Sequence, residues 1–308
     1  MSLLVVGTVA FDDIETPFTS GVGILGGSAT YAALAAHYVV DSVALVGVVG
    51  GDFPEAYVDL LRDRGIRTDG LVVQAAGKTF AWGGRYRYDL NQRDTLFTDL
   101  NVLETFDPVV PEAYRTSRIV CLGNLDPIIQ GRVLDQVQAP DFVVCDTMNY
   151  WIEHTHEHLL ALLGRIDCLL VNDSEARQLA NEPNLLLAAR KIQAMGPQFL
   201  VIKKGEHGAM LFGSGTVFVA PAYPVEDIHD PTGAGDGFMG GFGGYLARSG
   251  ERDPGALRHA VVYGSAMASF VVERLGPERL LGLTGQDIAT RIEAFRALSE
   301  IPPFDHPS

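Results

Sequence analysis

The most specific pattern in this chain is Asp230-Pro231-Thr232-Gly233-Ala234-Gly235-Asp236-Gly237-Phe238-Met239-Gly240-Gly241. The small triplet Gly233-Ala234-Gly235 precedes aromatic residues at helical spacing, so we predict a helix that begins at the triplet. Residues without bulk let backbone N–H groups approach an anion closely, and the helix N-terminus adds the positive end of its dipole. Asp236 falls in that first turn, where its carboxylate is placed to accept a proton from an attacking hydroxyl. A glycine-rich helix start capped by Asp236 is the purely structural alternative.

The predicted helix carries five glycines, at positions 237, 240, 241, 243 and 244. Each glycine costs up to about 1 kcal/mol of helix stability relative to alanine. That cost is explained if the helix packs with its backbone close to a neighbouring element or to a ligand.

Composition restricts the class of protein. Hydrophobic residues make up 47% and charged residues 20% of the 308 residues, which excludes a mainly disordered chain. The formal net charge of −15 disfavours a nucleic-acid partner, because a phosphate backbone requires a surface rich in Lys and Arg. No apolar run approaches the roughly 20 residues of a membrane helix, and residues 1–7 lack the basic segment of a signal peptide. We therefore expect a cytoplasmic protein with no membrane partner.

Short apolar runs alternate with amphipathic segments along most of the chain. Six runs lack polar alternation, as strands covered on both faces do, and they span residues 3–7, 43–49, 119–123, 142–146, 168–172 and 199–203. Amphipathic segments between them predict helices at about 54–64, 154–165, 175–179 and 185–195. This alternation predicts an α/β fold with a predominantly parallel central sheet and helices on both faces. Ligands of such sheets bind beyond the carboxyl ends of the strands.

Residues 79–89 depart from this pattern, because apolar and polar side chains alternate there with a period of two. One face of the predicted strand carries Phe80, Trp82, Tyr86 and Tyr88. A polar turn at 91–94 and a run at 95–100 complete a hairpin. We predict a small β lid formed by about 12–22 and 77–104, with an ordinary surface hairpin as the alternative. The aromatic face must be covered, either by a second subunit in a homodimer or by closure of the lid over substrate.

The pattern at 230–241 resembles the C-terminal signature of the PfkB (ribokinase-like) carbohydrate kinases. Further matches follow in the family's order over nearly the whole chain: Gly7 with Asp12, Gly26-Gly27 before the alanine-rich residues 29–36, residues 47–53, Asn172 with Glu175, and residues 203–208. The resemblance implies a single ribokinase-like kinase domain over residues 1–308.

The resemblance also implies ATP as co-substrate, Mg²⁺ as cofactor and roles for individual residues. Asp236 is then the general base, and the amides around Gly233, Ala234 and Gly235 form an anion hole for the transferring phosphoryl group. The other implied roles are acceptor binding by Asp12, Gly26, Gly27 and Tyr31, ATP binding by Lys203, Gly205, Gly208 and Thr232, water-mediated Mg²⁺ binding by Asn172 and Glu175, and a possible potassium site at Asp230. A helix cap with an acidic first turn is the alternative for Asn172 and Glu175.

Two positions depart from the family pattern. Tyr31 stands where the N-terminal signature often has asparagine, which puts sugar recognition at that point in doubt. Lys203 stands where a threonine usually precedes the G-x-x-G turn, and it either reaches a phosphate or is a solvated charge at a strand end. Residues 146–149 either contact substrate or magnesium or cap the next turn. A metal site is conceivable, although a solvated helix face is favoured, at His154, His156 and His158.

We expect the reaction to be transfer of the ATP γ-phosphoryl group to a primary hydroxyl of a sugar. A nucleoside kinase of the same family is the alternative. A non-catalytic nucleotide-binding regulator is the alternative of another class, and the intact Asp236 argues against it. A dinucleotide-binding dehydrogenase is disfavoured, because no G-x-G-x-x-G motif follows the first strand. Asp12 favours an acceptor with vicinal hydroxyls, since one carboxylate accepts hydrogen bonds from two neighbouring OH groups.

Overall fold

The structure is a computed structural model that describes residues 2–300. Within these residues nine strands form the larger sheet: β1 (Leu3–Val6), β4 (Val43–Gly50), β5 (Ile66–Gln74), β8 (Ile119–Leu122), β9 (Phe142–Asp146), β10 (Cys168–Asn172), β11 (Phe199–Lys203), β12 (Ala209–Gly213) and β13 (Thr216–Ala220). Their spatial order is β13-β12-β11-β10-β9-β8-β1-β4-β5. All neighbouring strands from β11 to β5 pair in parallel, whereas β12 and β13 pair antiparallel at one edge. The carboxyl ends of the parallel strands therefore meet at one edge of the sheet.

A smaller sheet consists of β2 (Ala10–Glu15), β3 (Ser20–Gly26), β6 (Phe80–Tyr86) and β7 (Arg93–Asp99), in the order β3-β2-β6-β7. It draws on the segments predicted for the lid. The chain leaves the larger sheet after β1 to form β2 and β3, and returns to it at β4, so the smaller sheet is tied to two neighbouring interior strands of the larger one.

Helices cover both faces of the larger sheet. They are α1 (Ser28–Ala36), α2 (Glu55–Arg62), α3 (Pro127–Leu134), α4 (Asn149–His154), α5 (His156–Leu163), α6 (Asp173–Ala180), α7 (Leu185–Gln193), α8 (Ala234–Ser249), α9 (Pro254–Val271), α10 (Glu278–Leu281) and α11 (Gly285–Ser299). One buried cluster joins α1, α8 and α9 to alternate strand residues, and a second joins α3, α5, α6 and α7 to the residues between them. The predicted α/β fold with helices on both faces is confirmed. Among the described residues, no helix has the length and apolar character needed to cross a membrane.

The glycines of α8 permit close contact with two neighbours. A Cβ added at Gly240 would lie 2.2 Å from the carbonyl oxygen of Ala32 in α1. A Cβ added at Gly243 would lie 2.4 Å from the Sγ of Cys121 in β8. Backbone atoms cannot yield such space without moving the helix, so the cost of glycine in α8 is offset by close packing, as the sequence predicted.

The elements differ from the prediction in three respects. Strands β5, β12 and β13 were not predicted, and polar residues interrupt the apolar run only in β5. The helix predicted at 154–165 is divided at Thr155 into α4 and α5. The aromatic face predicted for 79–89 is wrong at Tyr88, which lies beyond β6 and is 82% exposed. The register shift opposite Gly83 and Gly84 leaves Leu96 without a register partner, so the extra residue lies on β7 and not on β6.

Candidate active site

Three neighbouring parallel strands end in polar side chains at one edge of the larger sheet. Asp146 ends β9, Asn172 ends β10 and Lys203 ends β11. The residues before them in these strands are buried and almost entirely apolar. Because ligands of parallel sheets bind beyond the carboxyl ends of the strands, these polar groups lie at the expected position of a binding site.

Lys203 reaches across the end of β10 to Asp146. Its Nζ lies 2.7 Å from Asp146 Oδ2, and the two side chains are 17% and 7% exposed. The other carboxylate oxygen of Asp146 accepts a hydrogen bond from the backbone N–H of Thr147 at 2.9 Å. Burial raises the pKa of Asp146, and the ammonium opposes that rise. Lys203 is thus a paired, largely buried cation and not a solvated charge at a strand end.

Helix α8 begins beside this ion pair. Gly233 precedes the helix in a left-handed conformation, with φ of 77°. The first backbone N–H groups of a helix have no acceptor inside it, and here they belong to the segment around Gly235 and Asp236. A Cβ added at Gly235 would lie 3.0 Å from Lys203 Nζ, so the ammonium borders the helix start. The free amides, the helix dipole and the ammonium together form an electropositive region.

Asp236 is half-buried in the first turn of α8. Burial raises its pKa to about 7, the neighbouring Asp146 raises it as well, and Lys203 and Arg93 lower it. A carboxyl group with a pKa near neutrality is matched to general-base catalysis near neutral pH. The chemistry available to Asp236 is therefore proton abstraction next to a site for an anion.

Asn172 and Glu175 form a capping box at the start of α6. Asn172 Oδ1 accepts a hydrogen bond from the backbone N–H of Glu175 at 2.8 Å, and Glu175 Oε2 accepts one from the backbone N–H of Asn172 at 2.7 Å. Burial raises the pKa of Glu175 to about 7, the charge of Lys203 lowers it and the charge of Asp146 raises it. The helix-cap alternative is therefore present in the structure. It does not exclude a second function, because the capping box uses only one oxygen of the Glu175 carboxylate.

The donor set suits magnesium held largely by water and substrate. Within residues 2–300 no group of three or more His, Cys, Asp or Glu side chains is arranged to hold a metal ion. Kinase Mg²⁺ sites typically use one or two carboxylates, several waters and the substrate phosphates. The Glu175 carboxylate fits that requirement, and the negative charge of Asp146 lies close to it. Three histidines, for which a solvated helix face was favoured over a metal site, are exposed on α4 and α5: His154, His156 and His158.

Asp12 approaches the site from the smaller sheet and is only 4% exposed. Burial raises its pKa to about 8, with two other carboxylates adding to the rise and a hydrogen bond from the Gly27 backbone opposing it. A Cβ added at Gly26 would lie 1.9 Å from Asp12 Oδ2, so this position requires glycine. Gly27 precedes α1 with φ of 94°, a conformation that favours glycine. The two glycines therefore shape the space around the Asp12 carboxylate.

Tyr31 is buried and packs beneath the start of α8. A Cβ added at Gly233 would lie 2.5 Å from three atoms of the Tyr31 ring, so the ring lies flat against that glycine. Its hydroxyl has no hydrogen-bond partner within residues 2–300. The ring therefore supports the backbone of the helix start and presents no open face to a ligand.

Asp230 holds the loop before α8 in place. It is fully buried; its Oδ1 accepts a hydrogen bond from the Thr232 backbone at 2.8 Å and its Oδ2 accepts one from the Gly276 backbone at 2.9 Å. These two bonds tie the helix start to the segment after α9. The carboxylate thus has a structural function that does not depend on an ion.

The smaller sheet adds three side chains that complete the site. Trp82 is the register partner of Asp12, so both side chains project from the same face of the sheet. Tyr86 is buried, and its hydroxyl accepts a hydrogen bond from Thr232 Oγ1 at 3.1 Å. The guanidinium of Arg93 lies 5.2 Å from the centre of the Trp82 ring. The positive charge of Arg93 also lowers the pKa of Asp236 and the pKa of Glu175. Arg93 therefore contributes to the electrostatics of the site.

No individual function for Arg93, Tyr86 or Asp146 was predicted from the sequence. The alternation in 79–89 placed Tyr86 and Trp82 on one face, but the partner across the hairpin depends on the turn and on the bulge. For Asp146 the only signal was its position at the end of a buried strand.

The turn after β11 lies on the other side of the site. Gly205 and Gly208 have positive φ of 53° and 85°, and a Cβ at Gly208 would lie 2.0 Å from the carbonyl oxygen of Ala220. Asn91, in the turn between β6 and β7, donates to Glu206 Oε1 at 3.5 Å. The smaller sheet therefore extends from Asp12 to the G-x-x-G turn.

A family model described as "pfkB family carbohydrate kinase" matches residues 17–281. A cytidine kinase of Thermococcus kodakarensis is 27% identical over 247 residues, which is 79% of this chain and 87% of that protein. A nucleoside kinase of Methanothermobacter thermautotrophicus is 26% identical over 299 residues, 93% of this chain and 94% of that protein.

Two solved structures resemble this one over nearly the whole chain. A Burkholderia thailandensis nucleoside kinase in complex with inosine superimposes with a TM-score of 0.78 at 22% identity, covering 96% of this chain and 99% of that one. A ribokinase of Thermotoga maritima superimposes with a TM-score of 0.75 at 18% identity, covering 95% and 99%. The predicted ribokinase-like fold is confirmed.

Proposed function

The chain belongs to the pfkB family of carbohydrate kinases and is a phosphotransferase with a hydroxyl acceptor; on that premise we propose that it phosphorylates the primary hydroxyl of a ribonucleoside. The observation that carries the proposal is the register pairing of Asp12 with Trp82 on one face of the smaller sheet. The Asp12 carboxylate accepts hydrogen bonds from vicinal hydroxyls of a ribose. The half-buried indole beside it offers an apolar surface for a base attached to that ribose.

A free sugar is the second candidate acceptor, and it was the first choice from sequence. Asp12 suits its vicinal hydroxyls equally well, and the fold is shared with a ribokinase. A small sugar carries no base to stack on the Trp82 indole, however, and Tyr31 supplies no polar contact in place of asparagine. Relatives described as cytidine and nucleoside kinases support the nucleoside.

The proposed reaction places Asp236 as the general base. Its carboxylate accepts the proton of the acceptor hydroxyl while that oxygen forms a bond to the γ-phosphorus and the bond to the leaving ADP oxygen breaks. The amides around Gly233, Ala234 and Gly235 stabilise charge on the phosphoryl oxygens. Thr232, Lys203 and the turn that contains Gly205 and Gly208 belong to the ATP side of the site.

In the proposed site, Glu175 and Asn172 hold Mg²⁺ through water beside the ATP phosphates. When bound, the ion neutralises charge on the β- and γ-phosphates.

Two further proposals come from the family resemblance. A potassium site at Asp230 would be tested by titrating activity with KCl, and a cytoplasmic location, where ATP is available, by fractionating cells that produce the protein.

We predict that Asp236→Asn lowers kcat by about 10²- to 10⁴-fold, the usual contribution of a positioned general base. In the wild type, kcat/KM should fall as the pH falls through about 7, because the base must be ionised and its pKa is raised to that value. Steady-state kinetics from pH 5 to 9 would measure both effects, with ATP affinity as the control. Near-normal turnover of the variant would remove Asp236 from the mechanism.

We predict that Glu175→Gln raises the Mg²⁺ concentration for half-maximal activity at least several-fold, because a neutral amide is a poorer partner for a hydrated cation. The control is Glu157→Gln, which removes the same charge from the first turn of α5. A magnesium titration of both variants, with acceptor KM measured alongside, is the test. An unchanged titration would leave Glu175 with its capping function alone.

For the acceptor, we predict that cytidine or adenosine exceeds ribose and fructose in kcat/KM by 100-fold or more, about 2.7 kcal/mol of transition-state preference. Trp82→Ala should lower the nucleoside value by about 10-fold or more, because stacking of a base on an aromatic ring contributes roughly 1–3 kcal/mol. Trp82→Phe keeps an aromatic face and should lose less. Equal losses for ribose and nucleosides in Trp82→Ala would contradict the nucleoside proposal.

We also propose a homodimer formed through the outer part of the smaller sheet. Three large apolar residues there are strongly exposed: Phe18 at 55%, Val22 at 83% and Tyr88 at 82%. Light scattering should give twice the mass of one chain, and Val22→Glu should shift it to the monomer. The control is Val109→Glu at an exposed valine outside the sheet. A monomeric wild type at micromolar concentration would reject the dimer.

A further inference from the structure

The ion pair between Lys203 and Asp146 lies where a purely structural pair is not needed. Both residues end strands whose packing is apolar. Compared with the other lysine pair in the described residues, Lys203 is more buried than Lys191 and Asp146 is more buried than Glu182. Removing two charges from water is costly and seldom adds net stability. The position of the pair, at the site edge of the sheet, therefore requires an explanation other than folding.

The surroundings of Asp146 hold its carboxylate in one orientation. The backbone N–H of Thr147 donates to Oδ1 at 2.9 Å, and Gln130 Nε2 donates to the Asp146 carbonyl oxygen at 3.1 Å. The same Gln130 group donates to the Gly123 carbonyl oxygen at 2.8 Å. Asp146 is thus a fixed anchor, and the flexible member of the pair is Lys203.

The ammonium held by this anchor borders the proposed anion hole. The position of a Cβ at Gly235 is 3.0 Å from Lys203 Nζ, and Gly235 belongs to the first turn of α8. Any side chain at this position would crowd the ammonium. An ammonium has three donors, and Asp146 uses one of them in the described structure.

We propose that Lys203 is a catalytic residue whose ammonium binds the transferring phosphoryl group, and that Asp146 is the positioning residue that holds it there. This inference rests on the proposed kinase reaction. Lys203 keeps all its protons throughout. Asp236 receives the hydroxyl proton, the acceptor oxygen bonds to phosphorus, and ADP leaves with the electron pair of the broken bond.

The ion pair between Lys203 and Asp146 also influences the pKa of Asp236, the proposed base. Asp236 faces charged groups from several elements: Asp12 on β2, Arg93 on β7, Asp146 on β9 and Lys203 on β11. Lys203 lowers the pKa of Asp236, and Asp146 raises it. Loss of the lysine charge should therefore move the acidic limb of the pH profile upward, and loss of the aspartate charge should move it downward.

The test compares Lys203→Met, Asp146→Asn and the double variant with Lys191→Met as the matched control. We expect Lys203→Met to lower kcat by roughly 10²- to 10³-fold, as loss of a preorganised electrostatic contact does, with little change in acceptor KM. Lys191→Met should behave as the wild type. The acidic limb should shift in opposite directions in Lys203→Met and Asp146→Asn.

The double variant distinguishes an effect on catalysis from an effect on folding. It removes both charges of the ion pair, so no unpaired charge remains buried. If Lys203 is catalytic, the double variant stays as slow as Lys203→Met even when its thermal stability returns. Recovery of wild-type kcat in the double variant, or a kcat within threefold of wild type in Lys203→Met, would overturn the inference.

Binding measurements keep this inference separate from the choice of acceptor. If the wild type phosphorylates none of the sugars and nucleosides tried, the acceptor proposal fails, and calorimetry with Mg-ATP and Mg-ADP still decides about Lys203. Lys203→Met should weaken ATP binding at least several-fold more than ADP binding, because only ATP carries the γ-phosphoryl group. Equal effects on both nucleotides would overturn the inference.

Discussion

Buried carboxylates dominate the energetics of this site. Asp12, Glu175 and Asp236 all have pKa values raised to about 7 or 8, and burial is the largest cause in each case. A carboxyl group whose pKa is raised by folding contributes most to the free energy of unfolding at acidic pH, and that contribution is lost as the pH rises through the folded pKa. At neutral pH these groups are therefore only partly ionised, and the free energy of unfolding is lower than at acidic pH. Cations restore part of it, from Lys203 and Arg93 in the protein and from Mg²⁺ in the proposed complex.

Residues around the start of α8 fix the backbone next to these charged side chains. Tyr31 packs flat beneath Gly233, and Asp230 ties the same loop to Gly276 through two backbone amides. The close contact of Gly240 with α1 then sets the position of α8 along its axis. An electrostatic site acts through preorganised dipoles, so the rigidity of the helix start matters as much as its charge. Two residues expected to bind ligands, Tyr31 and Asp230, act in this structure as supports for those dipoles.

The architecture and the proposed base, Asp236, could both be predicted from sequence because each has a local signature. Buried parallel strands appear as apolar runs, and the start of α8 combines small residues, an aspartate and aromatic spacing within 16 residues. The smaller sheet was predicted from alternation, yet Tyr88 was misplaced because β6 ends at Tyr86 and the exposed turn begins before Tyr88. The pairing of Lys203 with Asp146 joins residues 57 positions apart. It depends on strand order, and neither residue alone indicates its partner.

In the proposed reaction, the smaller sheet connects the acceptor side of the site to the phosphate side. On one face it carries Asp12 and Trp82 as register partners, and Arg93 pairs in register with Tyr86 across the hairpin. Tyr86 in turn accepts a hydrogen bond from Thr232, in the loop that precedes α8. A displacement of this sheet would therefore move the acceptor carboxylate, the indole and a guanidinium together, relative to a helix start held by Asp230. Water competes with the acceptor as a nucleophile in phosphoryl transfer. In the proposed reaction, closure of the smaller sheet over a bound acceptor would exclude that water. Selection of the acceptor and protection of ATP from hydrolysis would then depend on the same four strands.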